Sequence, residues 1–120
     1  MLNDCLFQIK PKQSIIEIVQ LPNNHSENKI MYSFDSKQTQ IISIGRDKSC
    51  NIKLDWDKSY SKFQTMIIWD SSMEKWKIID GGVKGLSRNG TWLIASKSQE
   101  LKNGTIIMVV NTKIEVSIKI

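Results

Sequence analysis

Alanine is almost missing from this sequence: Ala95 is the single one, against 19 isoleucines, 5 valines and 5 threonines. Alanine is the best helix former, whereas β-branched side chains are stiff at χ1 and sit well on a pleated sheet. The shortage argues against a helical bundle and for strands before any motif is read. Histidine is nearly missing too. The one imidazole, His25, lies in the polar stretch 23–28 and reads as a solvated loop residue. With 2 cysteines and no CxxC, the chain lacks a cluster of zinc ligands, so no metal and no cofactor is expected. Cys5 and Cys50 are expected to be reduced and packed rather than paired. No apolar run reaches the ~18 residues that a spanning helix needs. Residues 1–10 lack the basic start and apolar stretch of a secretory signal. The expectation is an intracellular protein, nuclear or cytoplasmic, without a membrane partner.

Arginine is scarce. Of 17 basic residues only Arg46 and Arg88 are arginines, and the rest are lysines. Arginine offers a planar fork for bidentate contact with phosphate or carboxylate, which lysine cannot give. Codon chance explains such a count equally well. The formal net charge of +5 favours acidic ligands in general without naming one.

What is present is a succession of short apolar runs separated by polar turns. The chain has 120 residues, 40% of them hydrophobic, which suits a single globular domain with its own core. Strands are expected over 6–9, 14–19, 30–35, 41–45, 51–54, 64–69, 75–80, 92–94, 105–110 and 114–120. Asp70-Ser71-Ser72 supplies turn residues for a hairpin between the sixth and seventh of these. Trp69 and Trp76 fall in that hairpin and read as cross-strand partners. Trp56, between Asp55 and Asp57, is the odd one, with an exposed ligand contact as its minority reading. Asn103-Gly104 is a second turn signal. About ten to eleven strands and no helix make an all-β fold, a two-sheet antiparallel β-sandwich.

Three polar loops remain once the strands explain folding: 45–51, 57–64 and 80–92. Together they hold both arginines, several lysines and hydroxyls and most of the 6 glycines. A phosphate wants charge-assisted donors in fixed geometry, hydroxyls, and backbone N–H groups exposed by glycine. The loops offer all three, and rigid sandwiches commonly carry function on such loops. Ordinary turns with solvated charges are the other reading.

Gly45-Arg46 after an apolar strand, Ser61 before the next, and Ser87-Arg88-Asn89-Gly90-Thr91 resemble the motif series of the forkhead-associated (FHA) family: Gly-Arg, Ser-x-x-His, Ser-x-Asn-Gly-Thr. Leu101-Lys102-Asn103-Gly104-Thr105-Ile106-Ile107 is similar to the family's Leu-x-x-Gly-Asp-x-Ile segment. Asp47-Lys48-Ser49-Cys50-Asn51-Ile52 is similar to its Asp-x-Ser-Cys-Asp-Ile stretch, where the cysteine packs under the loop. The resemblance covers roughly residues 30–120 of a single domain placed over 1–120. It implies an eleven-stranded sandwich whose loops at one end grip a phosphothreonine peptide. By the same resemblance Arg46 forks onto the phosphate, Ser61 donates its hydroxyl, and Lys62 and Arg88 are further phosphate candidates. Asn89 holds the peptide backbone, while Gly45, Gln64 and Gly90 shape the loops. Two residues depart from the pattern. Gln64 stands where the family has a supporting histidine, and Arg88 where many members have a small polar residue.

The implied function is a phosphothreonine-reading interaction module, monomeric as an isolated domain and not an enzyme. Two alternatives of other classes stand beside it. One is a structural or dimerisation module that keeps the fold without phosphate recognition, for which Gln64 and Arg88 speak. The other is a basic nucleic-acid-binding domain, against which the aromatics speak, because they are not interleaved with basic residues on one strand face. Catalysis has no metal cluster, no Walker-type loop and no base beside a nucleophile to support it.

Overall fold

In the computed structural model, residues 13–23, 27–56, 58–81, 91–92 and 98–119 are described. Ten strands follow one another: β1 Ile15–Gln20, β2 Ile30–Asp35, β3 Ile41–Gly45, β4 Ile52–Lys53, β5 Thr65–Asp70, β6 Lys75–Asp80, β7 Thr91–Trp92, β8 Ser98–Glu100, β9 Ile106–Val109 and β10 Thr112–Lys119. They form two five-stranded sheets, ordered β2-β1-β10-β9-β7 and β4-β3-β5-β6-β8. Among the described residues there is no helix, and so none that could cross a membrane. The expected β-sandwich is therefore what the chain forms. The strand expected over 6–9 lies outside the described residues.

Side-chain alternation sets the two faces. On β1, Ile16 and Ile18 are buried while Ile15 and Glu17 are not. Ile16, Ile18, Ile107, Val109, Ile114 and Val116 line the inner face of the first sheet. Ile42, Ile44, Ile67, Trp69, Trp76 and Ile78 line that of the second. These two layers close on each other, as strands with one apolar face require. Trp69 and Trp76 sit opposite each other in the β5–β6 pairing and meet edge to face, with centroids 5.1 Å apart. The Trp76 indole N–H donates to Ser14 Oγ at 3.0 Å, so its one polar atom is satisfied in the core.

Two features differ from the sequence expectation. β3 and β4 pair in parallel, through Ile44 with Ile52 and Gly45 with Lys53, inside otherwise antiparallel sheets. β4 is too short to carry a pattern, so its direction was not legible. Second, β8 was not expected, because Ser98-Gln99-Glu100 has no apolar alternation. It is a strand because it pairs with β6. Asn103-Gly104 is a turn, as its sequence signal predicts, with the Thr105 N–H donating to the Lys102 carbonyl at 3.1 Å; it lies between β8 and β9, which belong to different sheets. The β9–β10 hairpin turns at Val110-Asn111, with Val110 at φ 57°, a left-handed conformation that β-branched residues rarely adopt.

The β5–β6 turn does follow its sequence signal. Asp70 Oδ1 accepts from the Ser72 N–H, the Ser72 hydroxyl and the Met73 N–H. Lys77 pairs with its other oxygen at 2.9 Å. The Lys77 and Ser72 contacts hold the Asp70 carboxyl well below its ordinary range.

Trp76→Ala is expected to cost about 3–5 kcal/mol. A domain of this size commonly has about 5–15 kcal/mol in all. Urea denaturation should therefore show a much lower midpoint, with part of the population unfolded in buffer.

Candidate functional site

β3 ends, and β5 begins, at one end of the sandwich, since Ile44 pairs with Thr65 and Thr65 with Asp80. The 46–51 and 54–64 loops leave from that end together. Their contact is close enough to decide what Gly45 must be. A Cβ built on Gly45 would lie 2.3 Å from the Lys62 carbonyl oxygen and 2.9 Å from the Gln64 nitrogen. No side chain fits there, and both obstacles are backbone, so glycine is required for the loops to meet.

Their meeting is written in main-chain hydrogen bonds. Arg46 N–H donates to Ser61 O at 3.0 Å, Asp47 N–H to Lys62 O at 3.1 Å, and Gln64 N–H to Ile44 O at 2.8 Å. The Lys62 carbonyl also accepts from Cys50 Sγ at 3.3 Å. Burial pushes the Cys50 thiol up, which keeps it protonated and able to donate. Cys50 is reduced and buried beneath the loops, as expected; Cys5 lies outside the described residues.

Each loop is braced internally as well. Asp47 accepts from the Ser49 hydroxyl and, at 3.0 Å, from the Ser49 N–H. These bonds, helped by Lys62 and Lys48, hold its carboxyl below the ordinary carboxylate range. Asn51 Oδ1 accepts from Ser43 N–H at 2.9 Å and from the Ser43 hydroxyl at 3.0 Å, which ties the far end of the first loop to β3. In the second loop, Gln64 is fully buried, and its Oε1 accepts from the Ser61 N–H at 2.8 Å.

Tyr60 anchors the second loop across the sandwich. It is fully buried, and its hydroxyl meets Asn111 Oδ1 and Thr112 Oγ1 on the β9–β10 hairpin of the other sheet. Trp56 packs edge to face on it, with centroids 5.6 Å apart. Trp56 is half-buried against the core. Sequence reasoning missed Tyr60, because between Ser59 and Ser61 it reads as a surface residue. The Tyr60 carbonyl in turn accepts from Arg46 Nε at 3.0 Å. Arg46 is half-buried and held by one edge of its guanidinium. Among the described residues its two Nη groups have no ion pair or hydrogen bond.

Arg46, Ser61 and Lys62 are thus brought together, with Gly45 and Gln64 as the reasons the loops hold. Ser61 is half-buried and Lys62 exposed. Arg88, Asn89 and Gly90, expected in the third loop, lie outside the described residues, as does His25. Among the described residues no group of histidine, cysteine or carboxylate side chains could hold a metal ion.

A sequence model of the FHA domain matches residues 42–110, more than half of the chain. The chain belongs to the FHA family. The matched residues contain both described loops and the position of the third. Among solved structures, the chain is similar to the first FHA domain of Rv1747 from Mycobacterium tuberculosis, with a TM-score of 0.64 and 11% identity, covering 91% of this chain and 100% of that one. It is similar to the FHA domain of the CT664 protein from Chlamydia trachomatis, at 0.67 and 18%, covering 86% and 96%. It is also similar to the N-terminal FHA domain of Rad53p from S. cerevisiae, solved with a phosphothreonine peptide, at 0.66 and 18%, covering 88% and 94%. No curated protein matches it by sequence. These likenesses agree with the FHA sandwich.

Three variants test the loop geometry. Gly45→Ala must push Lys62 away, and is expected to destabilise the domain by about 1–3 kcal/mol. Amide resonances throughout 58–64 should shift in its NMR spectrum. Gln64→Leu leaves the Ser61 N–H without its acceptor, at a cost of about 1–3 kcal/mol. Gln64→His should lose less, because an imidazole nitrogen can still accept. Thermal melts of the three proteins check the order.

Proposed function

We propose that this FHA domain is a phosphothreonine reader that joins its host protein to phosphorylated partners. The observation that carries the reading is the held guanidinium. Arg46 spends Nε on the Tyr60 carbonyl and keeps the forked Nη edge for a ligand. A planar fork fixed on one side is suited to a dianion, because bidentate contact needs orientation as well as charge. Ser61 stands on the adjacent strand of backbone, joined to Arg46 by a main-chain bond, so its hydroxyl can serve the same phosphate. Lys62 adds a mobile cation beside them. Arg88 is assigned as a further phosphate contact, and Asn89 as the residue that holds the peptide main chain. Gly90 shapes the third loop.

The comparison with the yeast domain supports this reading, since that protein was solved with a phosphothreonine peptide. The FhaA FHA domain, 19% identical with a TM-score of 0.60, was solved with the intracellular domain of another protein, which supports a protein partner. Gln64 does not argue for a module that has lost recognition. It is buried and bonds the loop that carries Ser61, so the support expected of the family histidine is present. A reader of this kind needs no catalytic group, and none is assigned.

Fluorescence polarisation with degenerate phosphothreonine, phosphoserine and unphosphorylated peptide libraries tests the proposal. Binding selective for phosphothreonine is expected. Arg46→Ala should weaken it by more than about tenfold, since a charge-assisted hydrogen bond contributes about 1.5–3 kcal/mol. Its melting temperature should stay near that of the parent. Equal binding of phosphorylated and unphosphorylated libraries would sink the reading, and intact binding in Arg46→Ala would misplace the site.

A further inference from the structure

Among the described residues the two sheets have four edges, and three of them are short: β4 and β7 have 2 residues each and β8 has 3. The fourth edge is β2, with 6 residues, Ile30–Asp35. Native sheets guard long edges with lysine, proline or a bulge. β2 contains no lysine or proline, and it pairs with β1 residue for residue, without a bulge. Met31 stands 64% exposed on it.

The hydrogen-bond phase shows which main-chain groups face outwards. Ser36 N–H donates to Ser14 O at 2.9 Å, so Ser14 and Ser36 are a hydrogen-bonded pair. Such pairs alternate along an antiparallel ladder. Phe34, Tyr32 and Ile30 therefore bond to β1, and Met31 and Ser33 turn their N–H and C=O outwards, while the Asp35 carbonyl accepts from the Gln38 and Thr39 N–H groups in the turn that follows. The far side of β1 agrees. Leu21 N–H donates to Lys113 O at 2.9 Å, which assigns the odd residues of β1 to β10 and the even ones to β2.

We propose that a second copy of this chain pairs on this edge, antiparallel, about a two-fold axis at Tyr32. Met31 then exchanges main-chain hydrogen bonds with the partner's Ser33, and Ser33 with the partner's Met31. Tyr32 meets the partner's Tyr32 at a non-hydrogen-bonded position, where cross-strand side chains approach most closely. Ile30 lies across from the partner's Phe34, on the face that covers the core. On the outer face Lys29 meets the partner's Asp35. Neither residue has an ion pair among the described residues.

A slip of the pairing by one residue exchanges the two faces, and a slip by two in either direction takes Asp35 away from the partner's Lys29. The contact uses the same strand in both copies, so it closes at two. Among the described residues no second long edge exists to extend it. The proposal departs from the monomer expected from the sequence, which does not show which strand lies at an edge.

Sedimentation equilibrium of the 120-residue chain over a wide concentration range tests the proposal. A reversible monomer–dimer equilibrium is expected. On dilution the amide resonances of Met31 and Ser33 should move more than those of Ile30 and Tyr32, which face β1. Ser33→Pro removes an outward N–H at a position where an edge strand tolerates proline. Lys29→Asp sets like charges against each other. Each should weaken association by at least about tenfold with melting temperature retained. Lys29→Asp is the decisive variant if Ser33→Pro melts early, since Lys29 precedes the strand and is exposed. A monomer at every concentration overturns the proposal and leaves the edge to a strand from a different protein. Association that both variants leave unchanged also overturns it.

Discussion

The close approach of Gly45 to the Lys62 carbonyl is the constraint on which the site depends. With 2.3 Å left for a Cβ, only a glycine lets the end of β3 lie against the 61–64 backbone. Everything polar at that end follows from the contact. The Lys62 carbonyl becomes an acceptor shared by Asp47 N–H and the Cys50 thiol, and the Arg46 N–H reaches Ser61 O. The two loops on either side of β4 are thereby one body. The proposed phosphate contact, with Arg46 on one and Ser61 on the other, then needs little further ordering, and ordering is a large part of what binding costs.

That body is also fastened to the core. Tyr60 spans the two sheets, from the second loop to Asn111 and Thr112 on the β9–β10 hairpin, and its own carbonyl holds Arg46 Nε. The arginine is thus linked to both sheets through one buried residue. A lysine at position 46 could not reproduce this arrangement. Its ammonium has no separate Nε edge for the carbonyl and Nη edge for a ligand, so one partner would be served at the expense of the other. The scarcity of arginine in a lysine-rich chain has a physical reason at this position.

Much of this was legible in the sequence, for different reasons in different places. β2, β3 and β6 were readable to their bounds because apolar alternation and turn residues coincide there. The motif residues placed Gly45, Arg46, Ser61 and Lys62 at one end of the sandwich, where the structure has them. β4 and β8 were not legible in direction or existence, since strands of 2 or 3 residues carry no period and are defined by their neighbours. Tyr60 was hidden for a related reason. Its burial is decided by a hairpin about fifty residues away, through Asn111 and Thr112. The proposed β2 edge shows the same limit. Its alternation is plain in the sequence, but sheet order is a long-range property, and only sheet order makes it an edge.

The Gln64 departure shows what the family pattern specifies physically. A histidine in that position is a side chain that fits a buried space and presents a hydrogen-bonding atom to the loop. Glutamine meets both requirements: it is fully buried, and its Oε1 accepts from the Ser61 N–H. Its main chain is equally committed, with the N–H donating to Ile44 O and the carbonyl accepting from Gly81 N–H. The position therefore joins β3, the second loop and the start of the third. The third loop is the one that carries Arg88, Asn89 and Gly90. What has to be kept there is an acceptor of the right reach rather than an imidazole. A titrating group is absent from that support, so the geometry of the Ser61 loop does not change with protonation at position 64. A histidine there would expose the same bond to changes near neutral pH.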